Sequence, residues 1–350
     1  MRKLLVPFSL LWSLLVSFRN FLYHKGWLRT FEFDFPVILV GNLSTGGTGK
    51  TPHVEYLIRL LKNQFKVATL SRGYKRKLKG YALATELSLV EDIGDEPKQF
   101  KQKFPDVEVA VSEDRVKGVY YILNEEPDVN VIILDDGFQH RRITAGLKII
   151  VTTCDRLFCD DIILPAGNLR EPKNAYKRAD ILIVSKCPPA LSFAEKEKII
   201  ERLHPLPQQN TFFTTLLYGN MYPLFPEQLQ KNFSTSTSCL FVSGIANNKN
   251  VIQYLKFAFS NVQVIRFPDH HYFSAGNIEQ IKKAAMRNGV CITTEKDAMR
   301  LMEQKEFILE TELSVFVLPI EIGFLFNEAE LFNEIVLTYI EKTTPDRYPV

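Results

Sequence analysis

The chain has 350 residues, of which 46% are hydrophobic and 24% are charged, a composition typical of a globular protein long enough for two domains. Its net charge of +3 is too small to indicate a nucleic-acid partner, and we expect none. The cysteines are odd in number and lack a C-x-x-C spacing, which argues against a disulfide framework or a zinc site and favours a reducing cytosol. These cysteines are Cys154, Cys159, Cys187, Cys239 and Cys291.

Residues 1–28 are predicted to form a helix that lies in a membrane interface. The first thirty residues carry five cations and no acidic residue, around an apolar run at 4–18 that is shorter than the ~20 residues of a membrane span. Basic side chains beside a broad apolar face suit anionic lipid headgroups. The bulky residues after the run disfavour a cleaved signal peptide. A buried core helix stays open as the alternative, because periodicity does not separate it from an interfacial helix.

The stretch VILVGNLSTGGTGKT at 37–51 predicts a phosphate-binding loop between a buried strand and an amphipathic helix. Its glycines let backbone N–H groups turn toward an anion at a helix N-terminus. Lys50 is placed to reach terminal phosphates, and the Thr51 hydroxyl to ligate Mg²⁺. The stretch departs from G-x-x-x-x-G-K-[ST] at Ser44, and the alternative is a glycine-rich turn without a ligand. The predicted nucleotide-binding residues are Gly46, Gly47, Thr48, Gly49, Lys50 and Thr51.

Strands and helices alternate along the rest of the chain, which predicts an α/β fold. Continuous apolar strands separated by amphipathic helices indicate a mostly parallel, P-loop-type sheet with helices on both faces. The predicted strands of this first unit are 37–40, 67–70, 107–111, 131–134, 148–152 and 181–184, and its helices lie near 50–62, 95–103, 114–124 and 192–203.

A proline-rich stretch after residue 204 predicts a domain boundary. We therefore divide the chain into the N-terminal helix 1–28, a phosphate-loop domain at 29–204, a connecting segment at 205–233 and a smaller α/β domain at 234–350. In the last domain we expect strands at 239–242, 262–265, 290–292 and 314–318, with helices near 248–259, 275–287 and 328–341.

Two carboxylates, Asp135 and Asp136, follow the apolar strand predicted at 131–134. In a phosphate-loop protein this is where Mg²⁺ is held, directly or through water, so both are metal candidates. Aspartates at the end of a strand also form turns, which is the alternative interpretation.

Three further polar clusters fall at the ends of predicted strands or helices. The stretch SRGYKRKLK at 71–79 holds five cations, which suit a solvated loop, a phosphate clamp or a lipid-headgroup contact. Asp95, in GDEP at 94–97, is explained most simply as a helix cap. The stretch FPDHHYF at 267–273 contains His270 and is dense enough in polar groups to indicate a site in the second domain.

Taken together, these motifs resemble the tetraacyldisaccharide 4'-kinases of lipid A biosynthesis, over nearly the whole chain. Any one motif is weak, but all of them in this order are specific. The motifs are GNLSTGGTGKTP (41–52), SRGY (71–74), GDEP (94–97), DDGFQH (135–140), LREP (169–172), SGIA (243–246), DHH (269–271) and TEKDA (294–298).

The resemblance implies an ATP- and Mg²⁺-dependent kinase that phosphorylates the 4'-hydroxyl of a lipid A disaccharide 1-phosphate at the cytoplasmic face of the inner membrane. It places Asp95 in the role of base, paired with His270, so that a residue of the second domain completes the site. It also adds Glu171 to the metal candidates Thr51, Asp135 and Asp136. The residues that it assigns to the phosphate or acceptor region are Arg115, Gln139, His140 and Arg170, and we add Arg72 from the basic cluster.

Three other classes of protein are alternatives to the kinase. A GTPase is unlike this sequence, because Asp135-Asp-Gly137 is one residue short of Asp-x-x-Gly and only Ser185-Lys-Cys-Pro188 stands where a guanine motif belongs. A membrane-positioning ATPase also joins an amphipathic helix to such a loop, but its signature lysine is replaced here by Thr45. A catalytically silent nucleotide switch on the membrane is the third alternative.

Overall fold

The structure, a computed structural model, describes residues 2–228, 238–288 and 290–343. Residues 229–233 of the predicted connecting segment lie outside the described residues. In chain order the strands of the described part are β1 (Phe31–Glu32), β2 (Val37–Gly41), β3 (Val67–Ser71), β4 (Ala82–Leu83), β5 (Glu108–Val111), β6 (Val131–Asp135), β7 (Ile143–Thr144), β8 (Leu147–Thr153), β9 (Ile181–Ser185), β10 (Asn210–Tyr218), β11 (Tyr222–Pro223), β12 (Cys239–Ser243), β13 (Val262–Arg266), β14 (Val290–Thr294), β15 (Val315–Leu318) and β16 (Ile320–Phe324).

The helices cover both faces of the sheets, as expected for parallel strands joined by crossovers. In chain order they are α1 (Val6–His24), α2 (Lys50–Leu61), α3 (Val90–Ile93), α4 (Asp95–Lys103), α5 (Arg115–Glu125), α6 (Phe193–Leu203), α7 (Lys249–Ala258), α8 (Ala275–Asn288), α9 (Glu295–Met302), α10 (Lys305–Glu310) and α11 (Ala329–Thr343).

The larger sheet has nine strands in the described part of the chain, in the order β16-β10-β9-β8-β2-β6-β3-β5-β4. Its strands from β10 to β5 are parallel, and β16 and β4 run antiparallel at the two edges. All five residues of β2 are buried, and they alternate between two cores. Leu39 packs in the core on one face of the sheet, and Ile38 and Val40 pack in the core on the other. The predicted α/β fold is confirmed.

The phosphate-binding stretch leaves the centre of this sheet, because β2 lies between β6 and β8. Helix α2 begins at Lys50 and buries Val54, Leu57, Ile58 and Leu61, whose helical spacing puts them on one face against the sheet. The carboxyl ends of β2 and β6 therefore place Lys50 and Asp136 at one edge, as the sequence predicts for a parallel sheet.

The smaller sheet has the order β11-β15-β14-β12-β13 within the described residues, with four parallel strands and β11 antiparallel at one edge. Helix α9 follows β14 directly and packs against α4 of the larger unit. The second α/β series predicted from the sequence is present, and α9 and α10 were not predicted.

Two segments lie in different places from those expected from the sequence. Strand β10, within the predicted connecting segment, pairs with β9 in the larger sheet. Strand β16 pairs with β10, and α11 packs Phe332, Val336 and Ile340 into the core of the larger unit. The prolines that suggested a connection flank β10 without falling inside it, and local periodicity does not show that the chain returns to its first sheet.

Helix α1 is exposed over most of its length. Only Ser9 and Val16 are buried, whereas nine large apolar side chains of the helix are exposed, which excludes the alternative of a core helix. The helix has 19 residues and extends beyond the apolar run at 4–18, which by itself is shorter than a membrane span. It is the one helix of the described residues that is long and apolar enough to cross a membrane, by length and composition alone.

Candidate active site

The loop between β2 and α2 has the backbone conformation that an anion site requires. Gly46 and Gly49 have φ values of 101° and 90°, in the left-handed region where a side chain would be strained. Gly49 is the N-cap residue of α2, so the free N–H groups of the first helical turn face the loop. Ser44, at the departure from the motif, is buried and bridges to Leu169.

The side chain of Lys50 lies at the end of β6. Its Nζ is 3.3 Å from Asp136 Oδ1, and Arg170 Nη1 donates to both oxygens of the same carboxylate at 3.0 and 2.9 Å. Burial would raise the pKa of Asp136, but Lys50 and Arg170 outweigh it and hold this pKa well below its usual range. Asp136 is therefore a permanent anion between two cations.

Asp135 is in a different environment from Asp136, although the two are adjacent. Complete burial raises the pKa of Asp135 to about 7, with Asp136 and Glu96 adding like charge against the opposing effect of Lys50. Its Oδ2 accepts a hydrogen bond from Ser71 at 3.4 Å, and its Oδ1 is buried without a hydrogen-bond partner. A buried carboxylate oxygen without a partner is costly, so this atom is suited to a cation.

The residues fit a magnesium ion shared with a nucleotide better than a metal site made by protein alone. No group of three His, Cys, Asp and Glu in the described ranges could hold a metal. Mg²⁺ typically takes one or two carboxylates and completes its shell with phosphates and water. Asp135, Asp136 and the Thr51 hydroxyl, in the first turn of α2, supply that partial set.

Glu171 is buried and follows Arg170, the residue that pairs with Asp136. Its Oε2 accepts hydrogen bonds from Arg178 at 2.7 Å and from Asn20 of helix α1 at 3.0 Å. The structure thus brings Thr51, Asp135 and Asp136 to the loop. Glu171 ties α1 to the larger unit through Oε2, whereas its Oε1, like Oδ1 of Asp135, is buried without a hydrogen-bond partner.

Asp95, at the start of α4, contacts the second unit. Its Oδ2 lies 2.6 Å from His270 Nδ1 and also pairs with Arg300, and Lys296 Nζ is 3.9 Å away. Burial would raise the pKa of Asp95, but the hydrogen bond from His270 and the charges of Arg300 and Lys296 lower it below its usual value. The predicted pairing of Asp95 with His270 is present in the structure.

Sequence reasoning missed Arg300 and Lys296, which belong to α9. Arg300 is completely buried and joins Asp95 to Asp297, and Asp297 in turn accepts from Gly244 N at 3.1 Å. The resemblance motif TEKDA contains Lys296 and Asp297, and Arg300 follows two residues later at the i+3 position on the same helix face. The i, i+3 spacing of Asp297 and Arg300 is the feature of the sequence that indicates this pair.

Two of the motifs meet through their backbones. The ideal Cβ of Gly94 would lie 3.4 Å from Gly73 Cα, and both glycines have positive φ values. This contact sets the start of α4, so SRGY at 71–74 and GDEP at 94–97 position Asp95 together. In the basic cluster, Arg76 pairs with Glu113 and Lys77 with Glu91, whereas Arg72 is exposed and close enough to lower the pKa of His140.

The remaining predicted residues surround Asp136. Arg170 Nη1 also donates to Gln139 Oε1 at 3.2 Å, and Gln139 Nε2 donates to Asn42 O at 2.9 Å. Arg115 is buried and donates to the carbonyl of Asp135 at 3.3 Å. Burial, together with the charges of Arg115 and Arg72, lowers the pKa of His140 to about 4, so this imidazole is neutral at pH 7.

A cavity of about 320 Å³ connects this region to helix α1. It is lined by Trp12, Leu15, Val16, Arg19, Gln139, Leu164 and Arg170. Apolar side chains of the helix thus face the same space as two polar residues of the Asp136 cluster. The fold, the loop and the strand-end carboxylates define a P-loop nucleotide-binding protein, with a cavity that opens beside an exposed apolar helix.

Comparisons with known proteins identify the family. The model of the tetraacyldisaccharide-1-P 4'-kinase family matches residues 1–341, and the chain belongs to this family. It is 45% identical to the tetraacyldisaccharide 4'-kinase of Flavobacterium johnsoniae, over 98% of each chain, and 43% identical to that of Bacteroides thetaiotaomicron, over 98% of this chain and 94% of the relative. The crystal structure of LpxK from Aquifex aeolicus in complex with ATP aligns with a TM-score of 0.74 and 32% identity, over 97% of this chain and 99% of that one.

This membership confirms the predicted resemblance and the kinase class. It favours the kinase over the positioning ATPase and the silent switch. Those two classes share with this chain a phosphate loop and an amphipathic helix but not the other motifs.

Proposed function

We propose that the protein transfers the γ-phosphate of ATP to the 4'-hydroxyl of a tetraacyl lipid A disaccharide 1-phosphate. The observation that carries the proposal is the contact between Lys50 of the phosphate loop and Asp136 of the carboxylate pair that ends β6. The start of α4, where Asp95 pairs with His270 of the second unit, is near enough for Glu96 to raise the pKa of Asp135. Family membership supplies the acceptor and the position of the phosphate.

The loop and its lysine bind the phosphates of ATP. Backbone N–H groups around Gly49 donate hydrogen bonds to phosphate oxygens. Lys50 moves from Asp136 to the transferred phosphoryl group, where its positive charge offsets negative charge. Asp135 and Thr51, with Asp136 beside them, would hold a Mg²⁺ ion, which would offset negative charge on the phosphates. Asp135 is assigned the direct contact because its Oδ1 has no partner and because it ends β6, the strand that pairs with β2 before the loop.

The Asp95–His270 pair receives the proton of the acceptor hydroxyl. As the 4'-oxygen forms its bond to the γ-phosphorus, the bond from that phosphorus to the β–γ bridging oxygen breaks, ADP leaves, and the hydroxyl proton passes to the pair. Three cationic or donor groups on one carboxylate oxygen make Asp95 a weak base by itself. The proton is therefore assigned to the pair, whose hydrogen bond lets both groups share it.

The acceptor reaches this site from a membrane surface. Helix α1 exposes Leu10, Leu14 and Phe18 on one face, at exposures of 64%, 68% and 61%. These side chains enter the acyl layer of the cytoplasmic face of the inner membrane, while the cavity beside Arg19 and Arg170 receives the anionic sugar. Arg72 is assigned a contact with an acceptor phosphate.

The two sheets act as two domains that close on the substrates. The larger domain comprises residues 29–218 together with the returning segment 320–343, and the smaller one lies between these segments. Because Asp95 and His270 belong to different domains, the site is complete only while the two domains are in contact, as they are in this structure, and opening of the domains would separate the pair.

The test is a phosphate-transfer assay with the purified protein. Incubation with ATP, Mg²⁺ and a tetraacyl disaccharide 1-phosphate in mixed micelles is expected to add one phosphate to the acceptor, located at the 4' position by fragmentation. ATP hydrolysis stimulated by bare vesicles, without a phosphorylated lipid, would favour an ATPase instead.

A further inference from the structure

Three consecutive carbonyl groups of the phosphate-binding loop are held by side chains from outside the loop. Lys186 Nζ donates to Gly47 O at 2.6 Å, and Ser185 Oγ donates to Thr48 O at 2.6 Å. The third carbonyl, of Gly49, lies 2.7 Å from His53 Nδ1. The sequence assigned no role to these three side chains.

Holding these carbonyls controls where the amide groups of the loop point. A peptide unit is planar, and its C=O and N–H groups point in opposite directions. When the carbonyls of Thr48 and Gly49 are turned toward Ser185 and His53, the N–H groups of Gly49 and Lys50 turn toward the opposite side of the loop. Carbonyl oxygens that pointed toward the phosphates would repel them. To bind an anion, the loop must therefore turn its carbonyl groups away as well as point its N–H groups inward.

The donors are themselves fixed by the larger sheet. Ser185 ends β9, is completely buried and shares its hydroxyl with the carbonyl of Thr152 in β8 at 2.9 Å. Lys186 follows with a φ of 56°, a left-handed conformation that is uncommon for a lysine. A constrained backbone at that position aims the side chain at the loop.

His53 is fixed as a neutral donor. Since the carbonyl of Gly49 only accepts hydrogen bonds, Nδ1 carries the proton, and Nε2 accepts from the Thr214 hydroxyl at 3.0 Å. Thr214 belongs to β10 and its carbonyl accepts from Cys187 N at 2.9 Å. Strand β9 thus contacts the loop directly through Ser185, and β10 contacts it through His53.

We propose that Lys186, Ser185 and His53 are positioning residues that hold the loop carbonyls away from the bound triphosphate and so set the affinity for ATP. The proposal rests on the proposed function in one respect only, which is that the loop binds ATP. It also gives a role to the segment at 185–188, which was weighed in the sequence only as a guanine-recognition motif.

Lys186→Met removes the donor and keeps the length of the side chain, and Lys186→Arg keeps a donor. We expect Lys186→Met to weaken ATP binding about tenfold or more, and Lys186→Arg to restore most of the affinity. The affinity of inorganic tripolyphosphate, a competitor that has no nucleoside, should fall by the same factor, because the substitution affects the part of the loop that binds phosphate. The control is Lys101→Met, which removes a lysine that donates to the backbone carbonyls of Pro105 and Val107, away from the loop.

Histidine provides a second, independent pair of variants. The side-chain amide of asparagine reaches the position of Nδ1, and that of glutamine reaches the position of Nε2. His53→Asn should therefore retain ATP affinity better than His53→Gln, and this comparison keeps the proposal testable if Lys186→Met does not fold.

Wild-type affinity in both Lys186→Met and His53→Gln would overturn the positioning role. A loss of ATP affinity in Lys186→Met with unchanged competition by tripolyphosphate would also overturn it, because Lys186 would then act on the nucleoside. Failure of the wild-type protein to bind ATP at all is a different result, which would contradict the proposed function itself.

Discussion

His270 and Asp95 are 175 positions apart in the chain, and their side chains meet with Nδ1 and Oδ2 at 2.6 Å. One belongs to the loop after β13 in the smaller unit, and the other begins α4 in the larger unit. Arg300, also from the smaller unit, pairs with the same carboxylate oxygen. A buried, charged contact between the two units is therefore also the proposed site of proton transfer.

Replacing His270 by Ala is expected to lower kcat by roughly 10²- to 10⁴-fold, the usual contribution of a general base. The dissociation constant for ATP should change little, because the phosphate loop lies on the larger unit. Turnover and ATP binding measured on the same preparation check this. His271→Ala is the control, since His271 bonds Asn277 rather than a carboxylate. Unchanged turnover in His270→Ala would remove the residue from the mechanism.

Arg300→Met is expected to destabilise the protein by about 3–5 kcal/mol, because it leaves the buried carboxylates of Asp95 and Asp297 without their shared cation. The comparison is Arg202→Met, which breaks a pair with Asp160 in which both side chains are about half exposed, and should cost less than about 1 kcal/mol. Denaturant unfolding of both variants measures the difference. Equal losses would mean that Arg300 is no more than an ordinary ion-pair partner.

The sequence predicts the elements around the loop well, because their signals are local. The strand at 37–40, the glycines and the helix from Lys50 form one continuous pattern, and the observed β2 and α2 follow it closely. The pairing of Asp95 with His270 was inferred from family resemblance. From charge and spacing alone, Asp95 is interpreted as a helix cap, because no local pattern shows which distant side chain will contact its carboxylate.

The parts that were not predicted depend on contacts between distant segments. Strand β10 lies between two segments that contain prolines, so the local sequence does not indicate a strand there. Strand β16 and helix α11 return to the larger unit after the smaller unit is complete. Arg300 resembles any arginine on an amphipathic helix until α9 is placed against α4. Lys186 gains its role only because β9 ends beside the phosphate loop.

Asp135→Asn is expected to stabilise the protein without nucleotide at pH 8 more than at pH 5. Because the pKa of Asp135 rises from 3.8 to about 7 on folding, the native state holds a proton that the unfolded state has lost, and stability falls as pH rises toward 7. Asparagine removes this loss, by up to roughly 3 kcal/mol between pH 5 and pH 8. The same variant should lose phosphate transfer. The measurement is the free energy of unfolding of both proteins at the two pH values.

A stability gain that is the same at both pH values would contradict the raised pKa of Asp135. The lowered pKa values of His53 and His140, about 4 each, also make stability fall as the pH drops below 6.5. They act equally on wild type and variant, so they cancel in the difference.

Replacing Leu10, Leu14 and Phe18 together by Ser should abolish binding to vesicles that contain anionic lipid. Each of these side chains contributes roughly 1.5–3 kcal/mol when it leaves water. Phosphorylation of an acceptor in detergent micelles should be less affected than vesicle binding. Phe257→Ser is the control, because Phe257 is 93% exposed on the smaller unit, away from α1. Equal vesicle binding by the triple variant and the wild type would exclude α1 as the membrane contact.

The central claim is that Lys50 and the glycine loop deliver the terminal phosphate of ATP to a sugar hydroxyl. The direct test is mass analysis of a tetraacyl disaccharide 1-phosphate after incubation with ATP, Mg²⁺ and either the wild-type protein or Lys50→Ala. We predict one added phosphate, at the 4' position, with the wild type, and a rate at least about 10²-fold lower with Lys50→Ala. An acceptor that stays unmodified with the folded wild-type protein, or is modified equally by both proteins, would contradict this account.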